Sequence, residues 1–263
     1  MPLRAVHTIV FDLDGVLLDA DWYPCAIKLD WRRLNIFWNL GPLNLMRYAF
    51  AGKNPFYLEK SLFGLLTAVD QTAKNRSGLT SSGRIVPGIM YEWLIGKRSG
   101  AQIRKAVSLY MDSNTSFLPI ERLLLSSLVD QIFDPRRFVS YCTLSHAGLA
   151  FVKRCKQFGY RVCILSDWDK ESFELLRLKF PELFGLFADD DLFISGYMHL
   201  AKPSPEIFAR FCALVPEPVV FLDDQAENVR VASQFPTIQA IQFTGLCSPA
   251  MRNLSRVLFS SAI

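Results

Sequence analysis

The chain has 263 residues and six cysteines, yet no C-x-x-C spacing occurs among Cys25, Cys142, Cys155, Cys163, Cys212 and Cys247. Several of them stand inside apolar runs, which reads as buried free thiols in a reducing compartment rather than disulfides. The three histidines, His7, His146 and His199, have no metal-ligand spacing to each other or to a cysteine pair, so they read as structural. Met1 to His7 lacks the apolar core of a signal peptide. The most apolar stretch, Leu34 to Met46, carries no charge but is too short to span a bilayer, and Gly41-Pro42 breaks it. Internal repeats and low-complexity tracts are also missing. These absences point to a soluble cytoplasmic protein without a transmembrane segment.

What the chain does have is core material: 51% of its residues are hydrophobic and 13% aromatic. Its length is large for one average domain and small for two, which suits one core with a sizeable insertion. The formal net charge is +4, but it is unevenly spread. Residues 21–110 hold 13 Lys/Arg against 5 Asp/Glu, a local +8, which leaves −4 for the remainder. An acidic region with a basic one over it fits that distribution.

Residues 6–11 read as a strand running into a turn at Asp12–Gly15. From about 19 to 136 the pattern becomes aromatic-rich and helical in period, broken at Gly41-Pro42, Asn54-Pro55, Ser77-Gly78 and Pro87-Gly88. No strong strand signal falls in this span. Afterwards strands and helices alternate. A helix over Ser145–Phe158 stops at Gly159, and a strand over Tyr160–Leu165 ends at Ser166-Asp167. A helix passes through Phe173–Leu176, and a short strand lies near Leu192–Ser195. Ser204-Pro205 opens a helix with an N-cap residue and a proline at its first position. A strand over Val219–Leu222 ends at Asp223-Asp224, a helix runs from Glu227 to Phe235, and a last strand lies near Ile238–Phe243.

Such alternation implies an α/β fold, a mostly parallel Rossmann-like sheet with helices on both faces. Ligands bind such sheets beyond the carboxyl ends of the strands. Asp12 and Asp14, Ser166, and Asp223 with Asp224 each follow a strand directly, and Lys202 precedes a helix N-terminus. The side chains of Asp12 and Asp14 point the same way along extended chain. Like charges that close repel, and they persist near neutral pH mainly when a cation binds them or one carries a proton. The set therefore reads as a magnesium-assisted site.

The order Phe11-Asp12-Leu13-Asp14-Gly15-Val16, Ser166, Lys202-Pro203 and Asp223-Asp224 resembles the haloacid dehalogenase superfamily, over roughly residues 6–18 and 140–245. The resemblance implies a catalytic core of residues 1–18 and 137–263, with an inserted all-helical cap over 19–136. It further implies a Mg²⁺-dependent phosphatase acting on phosphate monoesters. Asp12 would be the nucleophile, and Asp14 the general acid and base. Ser166 and Lys202 would bind the phosphoryl group. Asp224, with Asp223 in support, would hold Mg²⁺ together with Asp12 and the backbone carbonyl of Asp14. The dehalogenase branch does not keep an acid two residues after the nucleophile, so Asp14 favours a phosphatase. Relatives commonly read Ser-Asn where this chain has Ser166-Asp167, which places an added carboxylate beside the phosphate pocket.

Substrate choice is expected to lie in the insertion, with a phosphorylated small molecule or a phosphoprotein as substrate. Its basic residues, among them Lys28, Arg32, Arg33, Arg47, Lys53, Lys97, Arg98, Arg104 and Lys105, suit an acidic partner or a solvated face. No nucleic-acid motif is present. Leu34–Phe50 is either helical core or an interfacial helix at a membrane surface. Trp22 is a candidate for the substrate floor or cap hinge, and Trp168 for the site entrance or for packing. Two alternatives to hydrolysis remain: a phosphomutase with the same carboxylate pair, and a catalytically idle member of the fold that binds a partner through its basic cap.

Overall fold

A computed structural model describes residues 6–20, 58–70, 80–81 and 84–259. The expectations for Trp22, for Leu34–Phe50, and for Lys28, Arg32, Arg33, Arg47 and Lys53 lie outside these residues. Five parallel strands form the central sheet: β1 (Thr8–Phe11), β6 (Arg161–Ser166), β7 (Leu192–Ile194), β8 (Val219–Asp223) and β9 (Ile238–Gln242). Their spatial order is β7-β6-β1-β8-β9. The chain moves outward from β1 on one side, then returns to build the other, so β1 lies at the point where the strand order reverses. That is where sheets of this kind open a crevice.

Alternation along the strands sorts the core into two layers. Ile9 and Phe11 of β1, Val162 and Ile164 of β6, and Val220 and Leu222 of β8 pack on one face. Helices α6 (His146–Gln157) and α7 (Lys170–Lys179) cover them. Val10, Cys163, Leu165, Val219 and Phe221 pack on the other face under α10 (Pro205–Leu214) and α11 (Ala226–Ala232). Five cysteines are described and all are free; Cys142, Cys155 and Cys163 are buried, Cys212 is half-buried and Cys247 is exposed. The buried-thiol expectation therefore holds for three of these five.

The insertion has its own apolar cluster, supplied by α1 (Leu58–Asp70), α2 (Gly88–Leu94), α3 (Gly100–Ser113) and α4 (Pro119–Phe133). Its described residues beyond Ala20 are helical, as expected, apart from an antiparallel pair of β3 (Thr80–Ser81) and β4 (Arg84–Ile85). Strands of two residues carry no readable period-2 pattern, which is why the sequence hid them. A second missed pair, β2 (Leu18–Ala20) and β5 (Cys142–Leu144), runs antiparallel where the chain leaves the sheet and where it comes back. Where α5 (Pro135–Tyr141) passes into β5, the carbonyls of Val139, Ser140 and Cys142 accept from Lys179 Nζ at 2.7, 3.1 and 2.7 Å. A cation at a helix C-terminus satisfies carbonyls that the helix leaves free.

Ser204 sits at the N-cap of α10 with Pro205 behind it, but its hydroxyl does not cap the backbone. It donates to the Glu206 carboxylate instead, a correction to the capping expected from the sequence. Two short helices, α8 (Pro181–Phe184) and α9 (Ser195–Met198), complete the core connections. Past β9, beyond the last strand expected from the sequence, the chain forms α12 (Pro249–Phe259). Met251, Leu254 and Leu258 lie on one side of it and are buried in the first core layer. Among the described residues no helix is long and apolar enough to cross a membrane.

Leu254 is 1% exposed within that layer, so Leu254→Ala removes packed volume without touching the strand ends. The expected cost is about 2–5 kcal/mol, measured as a lowered urea midpoint with an unchanged slope.

Candidate active site

Register brings the strand ends together. Phe11 is level with Ile164 on one side and Leu222 on the other, so Asp12 follows level with Asp223. The Asp12 amide still donates to Leu222 O at 2.9 Å, which fixes the residue as the last one held by the sheet. Its Oδ1 accepts from Leu13 N at 2.8 Å and from Ser166 Oγ at 2.6 Å. Its Oδ2 faces Lys202 Nζ at 2.9 Å, and the same ammonium donates to Asp223 Oδ2 at 2.6 Å. Both Asp223 oxygens also accept from Asn228 Nδ2 at 3.0 Å, and Oδ1 accepts from Gln225 N at 2.8 Å.

Asp12, Asp223 and Lys202 are all buried. Burial by itself would push the lysine pKa down, but Asp12, Asp223 and Asp167 outweigh it and hold the ammonium above its ordinary value. Burial also pushes Asp12 up, against the pull of Lys202, while Asp223 pushes the same way as burial and Ser166 opposes it. The ammonium keeps its proton here, because two carboxylates share one cation.

Asp224 follows on the open side of the cluster. Asp12, Asp223 and Asp224 each place one carboxylate oxygen within 4.8 Å of the others. Three hard oxygen donors against a single lysine leave negative charge that a small divalent cation would balance, and oxygen donors suit Mg²⁺. Burial, then Asp223 and Asp14, raise the Asp224 carboxyl to about 6. Gly15 makes room for this residue: its φ is +71°, and a Cβ there would come within 2.7 Å of Asp224 Cγ and Oδ2. The turn thus requires glycine for its backbone and again for its lack of a side chain.

Asp14 stands apart from the three-carboxylate cluster. Its Oδ1 accepts from Ala20 N at 2.9 Å, so the carboxyl is tied to strand β2. Burial raises its pKa, against the hydrogen bonds from Ala20 and Gly15. Asp167 turns its Oδ1 to Lys202 N at 3.0 Å. Burial raises it to about 6, opposed by the Lys202 charge and that amide bond. Trp168 is buried against Phe138 with ring centroids 5.5 Å apart, so it packs and does not line an entrance. Of the sequence-predicted residues, the structure gathers Asp12, Ser166, Lys202, Asp223 and Asp224, with Asp167 on the Lys202 backbone and Asp14 alongside.

Two residues at the site escaped the sequence. Asn228 is buried and clamps both Asp223 oxygens; its only signal was a polar residue facing back from the first helical turns after Asp223-Asp224. Tyr91 of α2 is half-buried within the fields of Asp167 and Glu206, and burial, then those charges, raise its hydroxyl. Nothing local marks it, since it comes from the insertion.

Two outcomes follow from the Gly15 turn and the raised carboxyls. Gly15→Ala should weaken Mg²⁺ binding at least tenfold by calorimetry, because Asp224 must shift to clear the new methyl. Asp167 and Asp224 rise from 3.8 to about 6 on folding, so their protonated forms favour the native state. That contribution is complete below about 3.8 and is lost as pH rises through about 6. The melting temperature of EDTA-treated protein should therefore fall between pH ~4 and ~6.5 through these groups and level off above, and Mg²⁺ should restore it most at the higher pH.

A family model described as a haloacid dehalogenase-like hydrolase matches residues 6–235. Comparison with curated proteins found no match. Among solved structures, a haloacid dehalogenase family enzyme from Bacteroides thetaiotaomicron is 16% identical with a TM-score of 0.53, covering 90% of this chain and 93% of that one. The same enzyme in complex with magnesium and inorganic phosphate is 17% identical with a TM-score of 0.52 and the same coverage. A dehalogenase is 16% identical with a TM-score of 0.50, covering 93% of this chain and 88% of that one. At these identities the structural likeness shows the fold, and the dehalogenase shares it with the magnesium and phosphate complex. The strand-end constellation of Asp12, Ser166, Lys202 and Asp224 lies inside the matched span, and the chain belongs to the haloacid dehalogenase-like hydrolases.

Proposed function

We propose that this hydrolase is a phosphatase that cleaves a phosphate monoester through an aspartyl-phosphate. The observation that carries the reading is Asp14: a carboxyl raised by burial, two residues after Asp12 and held off the carboxylate cluster by Ala20 N–H. An alcohol is a poor leaving group and needs a proton as it departs, which such a group supplies. Asp12 Oδ attacks phosphorus, the ester P–O bond breaks, and Asp14 gives its proton to the leaving oxygen. Asp14 then takes a proton from a water that attacks the same phosphorus, which frees inorganic phosphate and restores Asp12.

Ser166 Oγ and Lys202 Nζ, now bonded to Asp12, are the donors within reach of the phosphoryl oxygens. Asp12, Asp223 and Asp224 are the side chains that would hold Mg²⁺, joined by the backbone carbonyl of Asp14. When bound, that ion supplies positive charge against the phosphoryl oxygens. Asn228 and Lys202 keep Asp223 oriented, and the ammonium pulls the Asp12 carboxyl down against burial, a pull that a bound divalent cation would complete so that Asp12 is ionised for attack.

The residue ranges 1–18 and 137–263 as catalytic core and 19–136 as cap are part of this reading. The separate apolar cluster of the insertion and the β2–β5 pairing at its two ends support them. The substrate is a phosphorylated small molecule or phosphoprotein, handled in the cytoplasm without nucleic acid. Its non-phosphate part falls to the cap, whose Tyr91 lies within the field of Asp167; the open groove of about 490 Å³ that Lys97, Arg98, Gln102 and Lys105 line elsewhere on the cap includes none of the strand-end residues. Arg98 is paired with Glu92 there, and Arg104 lies 3.4 Å from Asp134, so the basic surface is partly neutralised.

Hydrolysis of an aryl phosphate tests the chemistry. Activity should require Mg²⁺, vanish with EDTA, and fall to background in Asp12→Asn. Asp14→Asn should lower kcat on an alkyl phosphate by about 10²–10⁴, and less on the aryl ester, whose leaving group needs less protonation. Equal rates for wild type and Asp12→Asn would overturn the proposal.

A further inference from the structure

Ser195 opens α9 and is fully buried, although the chemistry above makes no use of it. Its Oγ accepts from Trp168 N at 2.9 Å and lies 2.8 Å from Leu94 O, at the end of helix α2 in the insertion. Trp168 O, at 3.1 Å, is a second acceptor for the same hydroxyl proton. One proton therefore has two acceptors, one on the insertion and one on the loop after β6.

Around this hydroxyl the two backbones meet directly. Gly96 has φ +73°, and a Cβ on it would lie 2.4 Å from Gly196 O. A Cβ on Gly196 would in turn meet Lys170 N at 2.7 Å and Trp168 O at 2.9 Å, and Gly196 N already donates to Trp168 O at 3.0 Å. His199, in the left-handed region at φ 57°, brings Nδ1 within 2.8 Å of Ile95 O. Trp93 of α2 stacks edge-on against Phe138, which lies on Trp168. Leu94–Gly96 thus rests on Ser195–His199, and that segment rests on Trp168–Lys170.

The loop so supported is the one that supplies Ser166, bonded to Asp12, and Asp167, bonded to Lys202 N. We propose that Ser195 is a positioning residue that couples docking of the helical insertion to the geometry of the Ser166–Asp169 loop. With the insertion docked, the hydroxyl donates to Leu94 O and holds Trp168 N as acceptor. With Leu94 withdrawn, its proton turns to Trp168 O, which already accepts from Gly196 N, and the loop loses a fixed reference two residues from Ser166. A buried hydroxyl with partners on both sides costs more to remove than its volume implies, since an alanine leaves Trp168 N and Leu94 O unpaired.

Gly96→Ala perturbs this contact from the insertion, far along the chain from the reacting groups. Hydrogen exchange followed by mass spectrometry should show the amides of residues 166–170 exchanging at least tenfold faster in Gly96→Ala and in Ser195→Ala. On the aryl phosphate, kcat should fall in both with little change in KM, and the double variant should be no worse than the poorer single one, as expected of residues acting through one contact. His199→Gly keeps the left-handed backbone at an exposed position, and serves if Gly96→Ala does not fold; it should show the same exchange pattern at smaller amplitude. Unchanged exchange at 166–170 in Gly96→Ala or His199→Gly, or single effects that multiply in the double variant, would overturn the coupling. The exchange arm reads the contact whether or not the aryl ester is hydrolysed, so failure of the phosphatase reading stays distinguishable.

Discussion

The strand ends are organised around one buried ammonium. Lys202 Nζ sits 2.9 Å from Asp12 and 2.6 Å from Asp223, with its own amide on Asp167. A lysine in that position is expensive to desolvate and remains charged only because carboxylates surround it. The converse also holds: Asp12 and Asp223 could not be buried as anions side by side without it. Removing either partner leaves an uncompensated charge, so the sheet is committed to all three. The remaining negative charge, with Asp224 added, is what makes a divalent cation the natural complement.

Two further constraints turn this electrostatic knot into a site. The first is steric: Gly15 lets the turn after Asp12 pass Asp224 closely, and any side chain there would collide with it. The second is a separation of roles between carboxylates. Asp12, Asp223 and Asp224 converge, whereas Asp14 is drawn aside by an amide of β2, the strand through which the chain leaves for the insertion. The acid–base candidate therefore hangs on the linker, while the nucleophile candidate hangs on the sheet. A separate contact of the insertion with the core runs through Leu94–Gly96 to Ser195–His199.

Much of this was legible in the sequence because it is local. Apolar runs of four to six residues that end in Asp12, Ser166 and Asp223 state both the strand and the position of its polar tip. The D-x-D spacing, Lys202-Pro203 and Asp223-Asp224 needed no tertiary information to be singled out. What stayed hidden is long-range or short-lived in sequence. Strands β2 to β5 span two or three residues, below any periodic signal, and Ser195 and Tyr91 gain meaning only from elements far along the chain. Trp168, two residues after Ser166, reads from sequence as entrance or packing alike, and the approach of Phe138 decides for packing. Helix α12 carries a readable spacing in Met251, Leu254 and Leu258, but it follows the last strand of a pattern that is already complete without it.

The most direct test of the account is whether Asp12 carries the phosphoryl group. Intact and peptide mass spectrometry after rapid acid quench of wild type with an aryl phosphate and Mg²⁺ should find one phosphoryl adduct on the peptide holding Asp12. The adduct should be labile to hydroxylamine, absent with EDTA and absent in Asp12→Asn. Turnover of the ester with no adduct at Asp12, or with an adduct on another residue, would contradict the assignment of this carboxylate as the nucleophile.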